Sequence, residues 1–354
     1  MSLILDGSNG ITFPNSSTQA VGFYGFKNRI INGAMVIDQR NAGASVSMTT
    51  STYSVDRYRV YASQTSKMTA QQTPSATETG YATRVAAGFT NYLAFTSSSS
   101  FSAAAGDRFM VYQGIEGYNV ADLAYGSSGA KTTTLSFWAY SSLTGTHSGA
   151  INNSLSSRCF AFTFTINSAN TWEYKTVVIA GDTASAMGSL TNSTGLEVTF
   201  NLGCGSTYLT STANAWQTGY YLGVTGSQSV VGTNGATFYI TGVQLEAGST
   251  ATSFDYRPYG TELALCQRYY EIGYSVVTSY GNGTNGINMS MPMKVTKRST
   301  PTGTVTIDVA AGSINYGTIS FSAYDLNSVY LGQSAASSAG YSRIFYSYTI
   351  SSEL

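Results

Sequence analysis

Ionisable side chains are scarce in this sequence. Asp, Glu, Lys and Arg make up 10% of its 354 residues, whereas ordinary soluble domains contain about 25%. Seventeen Lys and Arg balance seventeen Asp and Glu, so the formal net charge is zero. A protein that binds nucleic acid needs a basic surface to neutralise phosphates, and one that binds anionic membranes needs a basic patch. The composition argues against both functions, and we expect no nucleic-acid partner.

Histidine and cysteine are also rare. The chain has one histidine and three cysteines, and Cys159, Cys204 and Cys266 are scattered without a CxxC spacing. This pattern offers no zinc-binding spacing and argues against a disulfide framework, so the cysteines are interpreted as small buried side chains. A Ser-His-Asp triad would have to use His147, which lies in a turn-like stretch without a GxSxG motif. We interpret His147 as a solvated loop residue.

The sequence also lacks a long apolar run. No stretch approaches the ~18 apolar residues of a membrane-spanning helix. The N-terminal sequence MSLILDGSNG has neither the basic region nor the apolar core of a secretory signal peptide. We therefore expect a protein that is made in the cytoplasm and is not inserted in a membrane. The glycine-rich stretch 281–286 lacks the Lys-Ser/Thr pair and following helix of a phosphate-binding loop.

Ser, Thr, Gly, Asn and Tyr are abundant instead, with 27 tyrosines and 37 glycines. Aromatic residues reach 13% of the chain, which favours a folded protein over a disordered one. Apolar and polar residues alternate with period two in segments separated by Gly, Asn and Ser. The segments are 58–61, 134–140, 159–164, 172–179, 196–200, 237–245, 291–295 and 304–307. This pattern predicts an all-β protein built around an antiparallel jelly-roll-like β-sandwich.

The chain is predicted to have three parts. Residues 1–27 place turn signals between very short apolar pieces and cannot bury a core alone, so they form an attachment segment. Residues 28–258 form the sandwich, with a short helix at 118–124. Residues 259–354 form a small C-terminal β domain, entered through a helix at 261–270 with Thr261 as N-cap. A domain this small has a thin core, so we expect packing between subunits.

Several segments resemble tail-fibre and receptor-binding proteins of bacteriophages. They are NRIINGAMVIDQRN at 28–41, SVDRY at 54–58, QGIEG at 113–117 with the strand at 134–138, FYITGVQLEAG at 238–248, ATSFDYRP at 251–258 and ELALCQRYY at 262–270. Tyr58 stands where that family usually has Trp. Residues 4–14 are similar to short repeats that phages use near a fibre attachment end. The resemblance does not extend beyond residue 270.

The resemblance implies a phage virion fibre protein that is assembled in the host cytoplasm and joined to other virion proteins through residues 1–27. It also implies a homotrimer that attaches the phage to its host. The sandwich pattern is similar to carbohydrate-binding jelly-roll modules, so we expect an adhesin for a host surface glycan and not an enzyme. Two alternatives stay open: a purely structural component, such as a connector or capsid-decorating fibre, and, less favoured, a glycan hydrolase.

Glycan-binding surfaces combine aromatic rings, which stack on the apolar faces of sugars, with amides and hydroxyls that bind sugar hydroxyls. Such surfaces resemble paratopes rich in Tyr, Ser, Gly and Asn. The candidate glycan-binding residues are Trp172, Trp216, Tyr280, Asn282, Asn285, Tyr316, Tyr324, Tyr330 and Tyr341. For each Trp or Tyr alone, core or intersubunit packing is the alternative role.

Paired carboxylates are the other candidate chemistry. A glycoside hydrolase needs two carboxylates about 5–9.5 Å apart, and Glu116 with Asp122 or Glu246 with Asp255 could supply them. The first pair is interpreted as structural hydrogen bonding. No cofactor is expected. A structural Ca²⁺ is an open alternative because jelly-roll binding modules often hold such an ion, and Asp38, Glu116 and Asp255 are its candidate ligands.

Overall fold

The computed structural model describes residues 4–6, 10–12, 18–19, 26–75, 77–154, 157–282, 287–313, 315–323, 325–333 and 339–354. Strands dominate this part of the chain. The short strands β1 (Ile4–Asp6), β2 (Gly10–Thr12) and β3 (Thr18–Gln19) form a three-stranded sheet of their own.

Two antiparallel sheets form a sandwich. Its strands are β4 (Val46–Ser47), β5 (Thr52–Val55), β6 (Tyr58–Ala62), β7 (Met68–Gln72), β8 (Leu93–Ser97), β9 (Phe109–Glu116), β10 (Thr133–Ser141), β11 (Gly145–Asn153), β12 (Arg158–Ile166), β13 (Glu173–Ile179), β14 (Thr194–Asn201), β15 (Leu209–Thr210), β16 (Ala215–Thr218), β17 (Gly223–Val224) and β18 (Thr237–Ala247). The six-stranded sheet has the order β13-β10-β18-β8-β7-β4, and the seven-stranded sheet has the order β16-β12-β11-β14-β9-β6-β5. Strands β15 and β17 form a separate parallel pair. The predicted fold class, an all-β jelly-roll-like sandwich, is confirmed.

Period-two alternation explains how each sheet buries one face. Along β10, Leu135, Phe137 and Ala139 are fully buried in the core between the sheets. Trp138 points to the outer face and is half-buried. Strand β10 lies between β13 and β18, as predicted for a strand with apolar residues on both faces. Burying each large apolar side chain contributes about 1.5–3 kcal/mol, so these inner faces drive the pairing of the sheets.

The two predicted helices differ in detail from the structure. Helix α1 (Tyr81–Ala86) was not predicted, and helix α2 (Tyr259–Gln267) begins before Thr261. Pro258 occupies the N-cap position, where it makes no side-chain cap hydrogen bond, so the predicted cap at Thr261 is wrong. The stretch at 118–124 forms two 3₁₀ turns instead of an α-helix, because the backbone of Val120 between them, with φ −132° and ψ 0°, is not helical.

Besides α1 and α2, the described residues contain three short 3₁₀ turns. The 3₁₀ turns are Gly117–Asn119, Ala121–Leu123 and Ser206–Tyr208. Among the residues that the structure describes, no helix has the length and apolar character needed to cross a membrane. The three cysteines are free and buried, as the sequence predicts for small core side chains.

His147 is not a solvated loop residue, which corrects the sequence interpretation. It lies in β11 and is buried between the rings of Phe164 and Phe238, whose centroids are 5.6 and 5.5 Å from its own. Its Nε2 lies 3.0 Å from the carbonyl oxygen of Leu143, and its Nδ1 has no partner. The alternation of the neighbouring strand does not extend clearly into this Gly- and Ser-rich segment, so the burial of His147 could not be predicted from the local pattern.

The burial of His147 predicts a pH-dependent stability. Burial lowers the pKa of the imidazole below its ordinary value of 6.5. The unfolded chain therefore takes up a proton first as the pH falls below about 6.5, and the folded state loses up to about 1.4 kcal/mol per pH unit. In His147→Gln this loss should disappear. Urea unfolding from about pH 7 to about pH 5 measures it, and equal slopes for variant and wild type would contradict the prediction.

The C-terminal strands form two small sheets. They are β19 (Tyr270–Asn282), β20 (Ile287–Pro292), β21 (Thr302–Ile307), β22 (Ile319–Ala323), β23 (Ser328–Gln333) and β24 (Ala339–Ser351). The sheet orders are β19-β24-β21 and β20-β23-β22. The predicted strand at 291–295 is wrong beyond Pro292, where β20 ends. The core between the sheets is small, with Val329, Ile344, Tyr346 and Ile350 at its centre. The domain boundaries after residues 27 and 258 stay predictions.

The sandwich and the C-terminal strands meet at a buried ionic cluster, which we call the joint. It consists of Arg40, Arg57, Glu116, Tyr269 and Glu353. Arg57 is ion-paired to Glu353 and stacks on the ring of Tyr269, 3.5 Å from its centroid. Arg40 reaches the same Glu353 carboxylate at 2.8 Å. On the other side, the Tyr269 hydroxyl donates to Glu116 at 2.7 Å.

Candidate functional site

Two of the predicted glycan-binding residues lie side by side at the far end of the C-terminal sheet. Strands β19 and β24 pair along their whole length, and this register places Tyr280 directly opposite Tyr341. Tyr280 is 83% exposed and Tyr341 is 51% exposed. Directly opposed residues on one face of a sheet have their Cβ atoms about 5 Å apart. The two phenol rings therefore form one exposed surface, which we call the distal tyrosine pair.

Polar groups border the distal tyrosine pair. On the same face of the sheet, the next cross-strand pair toward the sandwich is Thr278 and Arg343. Arg343 stacks over Phe345 at 5.1 Å and donates to the carbonyl oxygen of Gly312 at 3.3 Å. Asn315 donates its amide to the carbonyl oxygen of Tyr341 at 3.4 Å. Aromatic rings beside a guanidinium and an amide form a surface that can stack on an apolar ring face and hydrogen-bond to hydroxyls.

Two further candidates lie on the same domain but are less exposed. Tyr316 is half-buried and lines an open groove of about 590 Å³ together with Val305 and Ile307 of β21. The groove adjoins the tyrosine pair through Asn315, the residue before Tyr316. Tyr330 is half-buried in β23, opposite Ser290 and Ser322. The structure therefore groups Tyr316 near the pair and places Tyr330 in the other sheet.

The asparagine candidates are described only in part. Asn282 ends β19 and lies opposite Ala339 of β24, so its backbone is next to the distal tyrosine pair. Asn285 and Tyr324 lie outside the described residues.

The two tryptophan candidates pack inside the sandwich. Trp172 is 3% exposed, its ring contacts Tyr92 and Tyr140, and its Nε1 donates to Glu78 at 3.1 Å. No face of this indole is left for a ligand, which corrects the sequence interpretation of Trp172.

Trp216 is half-buried and also has partners within the fold. It packs edge-to-face on Tyr125 and Phe160, and its Nε1 donates to the carbonyl oxygen of Ala180 at 2.6 Å. These contacts account for Trp216 as a packing residue at the edge strand β16.

The candidate metal ligands already have protein donors. Asp38 accepts hydrogen bonds from the backbone of Asn41 and Gly43, as in a turn. Glu116 is bound by Arg268 at 2.6 Å in addition to Tyr269 of the joint. Among the residues that the structure describes, no three His, Cys, Asp or Glu side chains are grouped to hold a metal ion.

The remaining acids of the predicted pairs are also engaged. Asp255 accepts from the backbone N–H of Asn28 at 3.2 Å and lies 3.8 Å from Arg257. Glu246 accepts from Thr252, both from its backbone N–H and from its hydroxyl. Asp122 pairs with Arg29 at the surface. These contacts are structural in kind and give no facing pair of free carboxylates.

Sequence reasoning missed a second polar and aromatic surface, on the outer face of the seven-stranded sheet. We call it the tyrosine face, and its members are half-buried: Arg59, Tyr61, Arg108, Tyr112, Glu197, Tyr208 and Tyr220. The alternation in 58–61 indicated that Arg59 and Tyr61 share one face. It could not indicate that β9, β14 and the segment after β14 bring the other members beside them.

Comparisons with known proteins give distant structural similarities. No protein-family model matches the chain, and no curated protein matches it. The chain is similar over 62% of its length to the enzymatically active domain of tailspike protein 4 of bacteriophage CBA120, at 13% identity and a TM-score of 0.30, and it spans 21% of that chain. It is also similar to the family 11 carbohydrate-binding module from Clostridium thermocellum, at 11% identity over 58% of this chain and 98% of that one, with a TM-score of 0.27. A third similarity is to the CBM22 tandem domain of Xyn10C from Paenibacillus barcinonensis, at 8% identity over 89% and 92% of the chains, with a TM-score of 0.26.

Proposed function

We propose that this chain is a bacteriophage virion fibre protein that attaches the phage to its host by binding a cell-surface glycan. The observation that carries the proposal is the distal tyrosine pair, two exposed phenol rings placed side by side at the far end of β19 and β24. The motifs between residues 28 and 270 that resemble phage tail-fibre proteins support the virion location. The activity proposed is binding and not catalysis.

The surface chemistry is suited to a glycan. The chain has no net charge, so attraction by charge contributes little and recognition rests on stacking and hydrogen bonds. A single pair of rings binds weakly, but several copies on one particle raise the avidity by a factor of about 10²–10⁴. Weak, repeated sites of this kind fit attachment to a surface that carries many copies of the same sugar.

The proposal predicts a loss of binding when both rings are removed. In the double variant Tyr280→Ala, Tyr341→Ala, we expect adsorption of the protein to host cells to fall at least tenfold, because each aromatic contact contributes about 1 kcal/mol. Both residues are exposed, so the fold should be unaffected. Adsorption is measured with labelled protein and whole cells, and binding to a glycan array identifies the sugar.

The matched control is Tyr118→Ala, which removes a tyrosine that is 63% exposed on the sandwich. We expect this variant to adsorb like the wild type. Undiminished adsorption of the double variant would contradict the proposal and would favour a structural role in the virion. One observation favours the structural role, namely the exposed apolar side chains of Ile272, Tyr274 and Val276 along β19.

We also propose a homotrimer. Ile272, Tyr274 and Val276 alternate along β19 and are exposed on one face. Among the described strands, β19 is also the edge of its sheet. A long exposed edge with an apolar face aggregates unless it is covered. Sister copies of the chain would cover it, and the resemblance to phage fibres supports a number of three.

Changing Val276 to Asp tests the trimer. This residue is 47% exposed, and a buried carboxylate between subunits would lack a partner, so we expect the trimer to dissociate. Val178→Asp is the control because Val178 is 51% exposed on the sandwich edge strand β13. Light scattering coupled to gel filtration measures the mass. A monomeric wild type, or a Val276→Asp variant that stays trimeric, would contradict this proposal.

A further inference from the structure

Arg343 lies on the same sheet face as the distal tyrosine pair. Tyr341, Arg343 and Phe345 occupy every second position of β24, and side chains two positions apart on a strand share a face. A strand rises about 3.3 Å per residue, so the backbone of Arg343 is about 7 Å from that of Tyr341. Its cross-strand neighbour Thr278 is exposed and precedes Tyr280 by the same interval on β19. An oligosaccharide that lies on the two rings can therefore reach the guanidinium.

The fold makes little use of this guanidinium. It donates to the carbonyl oxygen of Gly312 at 3.3 Å, which is long for an N–H···O hydrogen bond. Its Nε is buried without a partner. Arg298 shows the contrast, because three carbonyl oxygens accept from its guanidinium at 2.8, 2.9 and 2.8 Å. Arg343 is half-buried and stacked on Phe345, so it is held in place while most of its donors have no acceptor among the described residues.

The charge of Arg343 is also unpaired. Within the described part of the chain, its guanidinium has no ion pair with any carboxylate. Asp308 is the nearer acid of this domain along the sheet, and it accepts from the hydroxyl of Tyr274, on the sandwich side of Phe345. Asp325 lies in a turn that bonds to the backbone of Lys297, at the base of the domain. The tip is therefore locally positive in a chain without net charge.

An anionic group matches what Arg343 leaves open. A planar guanidinium can donate two parallel N–H bonds to a carboxylate or a phosphate, and bonds between ionised groups are shorter and stronger than neutral ones. A sugar hydroxyl can accept from the same donors, but it gains no attraction between charges. A cationic ligand would be repelled, because no described acid is paired with the guanidinium. The zero net charge of the chain removes long-range attraction and leaves this local contact unchanged.

We propose that the glycan bound at the distal tyrosine pair is acidic, and that Arg343 determines this specificity by binding its anionic group. The apolar face of one sugar ring lies on Tyr280 or Tyr341, and a carboxylate or phosphate of the same oligosaccharide accepts from Arg343. This inference rests on the proposed function, because it names the class of sugar at that same site. It adds a prediction that the tyrosine rings alone do not make, namely a preference for acidic over neutral sugars.

Saturation-transfer NMR with the full chain tests the preference. The probes are oligomers of galacturonic acid, oligomers of sialic acid and a phosphate-bearing mannose oligomer, each beside its carboxyl-reduced or dephosphorylated counterpart. We expect at least one acidic probe to bind the wild type ten times more tightly than its neutral counterpart, which corresponds to about 1.4 kcal/mol. The carboxylate and phosphate probes distinguish the two kinds of anionic group. The preference should weaken as salt is raised from about 0.05 M to about 0.5 M, because salt screens exposed charges.

In Arg343→Gln the preference for the acidic probe should disappear, while binding of the neutral counterpart stays as in the wild type. The matched control is Arg59→Gln. Arg59 also has a buried Nε without a partner, and its guanidinium donates to the hydroxyl of Ser51 at 3.0 Å, but it lies on the sandwich. This control should keep the wild-type preference, and circular dichroism verifies that each variant is folded.

Three results would overturn the inference. Acidic probes that bind no more tightly than their neutral counterparts would remove the preference itself. An unchanged preference in Arg343→Gln would place the anionic group elsewhere. Conversion of a trimeric wild type to monomers by Arg343→Gln, seen by light scattering, would assign the guanidinium to a carboxylate of a sister copy. Neutral probes that bind equally well, and are lost in the Tyr280→Ala, Tyr341→Ala variant, would leave the proposed function intact. Acidic probes that bind this double variant like the wild type would overturn both proposals.

Discussion

Replacing Glu353 with Gln is expected to lower the free energy of unfolding by about 3 kcal/mol. Glu353 accepts from Arg57 and Arg40, and its side chain is 9% exposed while that of Arg57 is 2% exposed. The substitution keeps the shape of the side chain but leaves the guanidinium of Arg57 without its counter-charge in a buried place. Its remaining contacts are the carbonyl oxygen of Gly114 and the ring of Tyr269. Removing one partner of a buried ion pair is costly for this reason.

Urea unfolding at pH 7 measures the effect, with tryptophan fluorescence for the sandwich and far-ultraviolet circular dichroism for all strands. The matched control is Asp122→Asn, because the Arg29–Asp122 pair has the same 2.8 Å separation as Arg40–Glu353, but its side chains are 21% and 47% exposed. The exposed pair should contribute less than about 1 kcal/mol. Equal losses in the two variants would show that the joint is no stronger than a surface pair.

The joint also illustrates the limit of sequence reasoning. Arg57 and Glu353 are separated by 296 positions, and neither stands in a pattern that points to the other. Alternation was enough to place β6, β10, β12, β14 and β18, because the inner-facing residues repeat every second position. Charged residues follow no such period in this chain. Arg57 and Glu353 meet at the joint only because the fold brings distant segments together, so the three-dimensional arrangement is needed to see which side chains meet.

For the candidate site, the sequence likewise predicts some properties of single residues but not which residues lie together. Tyr280 and Tyr341 could be predicted as exposed because they lie in Gly- and Ser-rich stretches with little apolar sequence around them. That they face each other follows from the register of β19 and β24, which the sequence does not encode locally. Trp172 fails as a binding residue because the rings of Tyr92 and Tyr140 pack against it and Glu78, almost a hundred positions earlier, accepts from its Nε1. Tertiary contacts overrode the local pattern in that case.

A second large effect is expected for Lys297→Met. Lys297 and Glu271 are both fully buried and lie 2.6 Å apart. The ammonium also donates to the carbonyl oxygen of Gln267 at the end of α2. Methionine fills a similar volume but leaves the Glu271 carboxylate unpaired, and its Oε1 already has no partner. We expect a loss of about 3–5 kcal/mol, measured by urea unfolding.

The double variant Glu271→Leu, Lys297→Met gives the sharper test. If the loss in Lys297→Met comes from an unpaired buried charge, removing the carboxylate as well should restore most of the stability, because replacing both partners by apolar groups is often neutral or stabilising. If the loss comes from packing around the lysine stem, the two substitutions should add instead. Burial lowers the pKa of Lys297, while Glu271 opposes this shift. For this lysine, desolvation therefore exceeds the attraction of the carboxylate, which is the condition under which replacing both partners of a buried pair costs little.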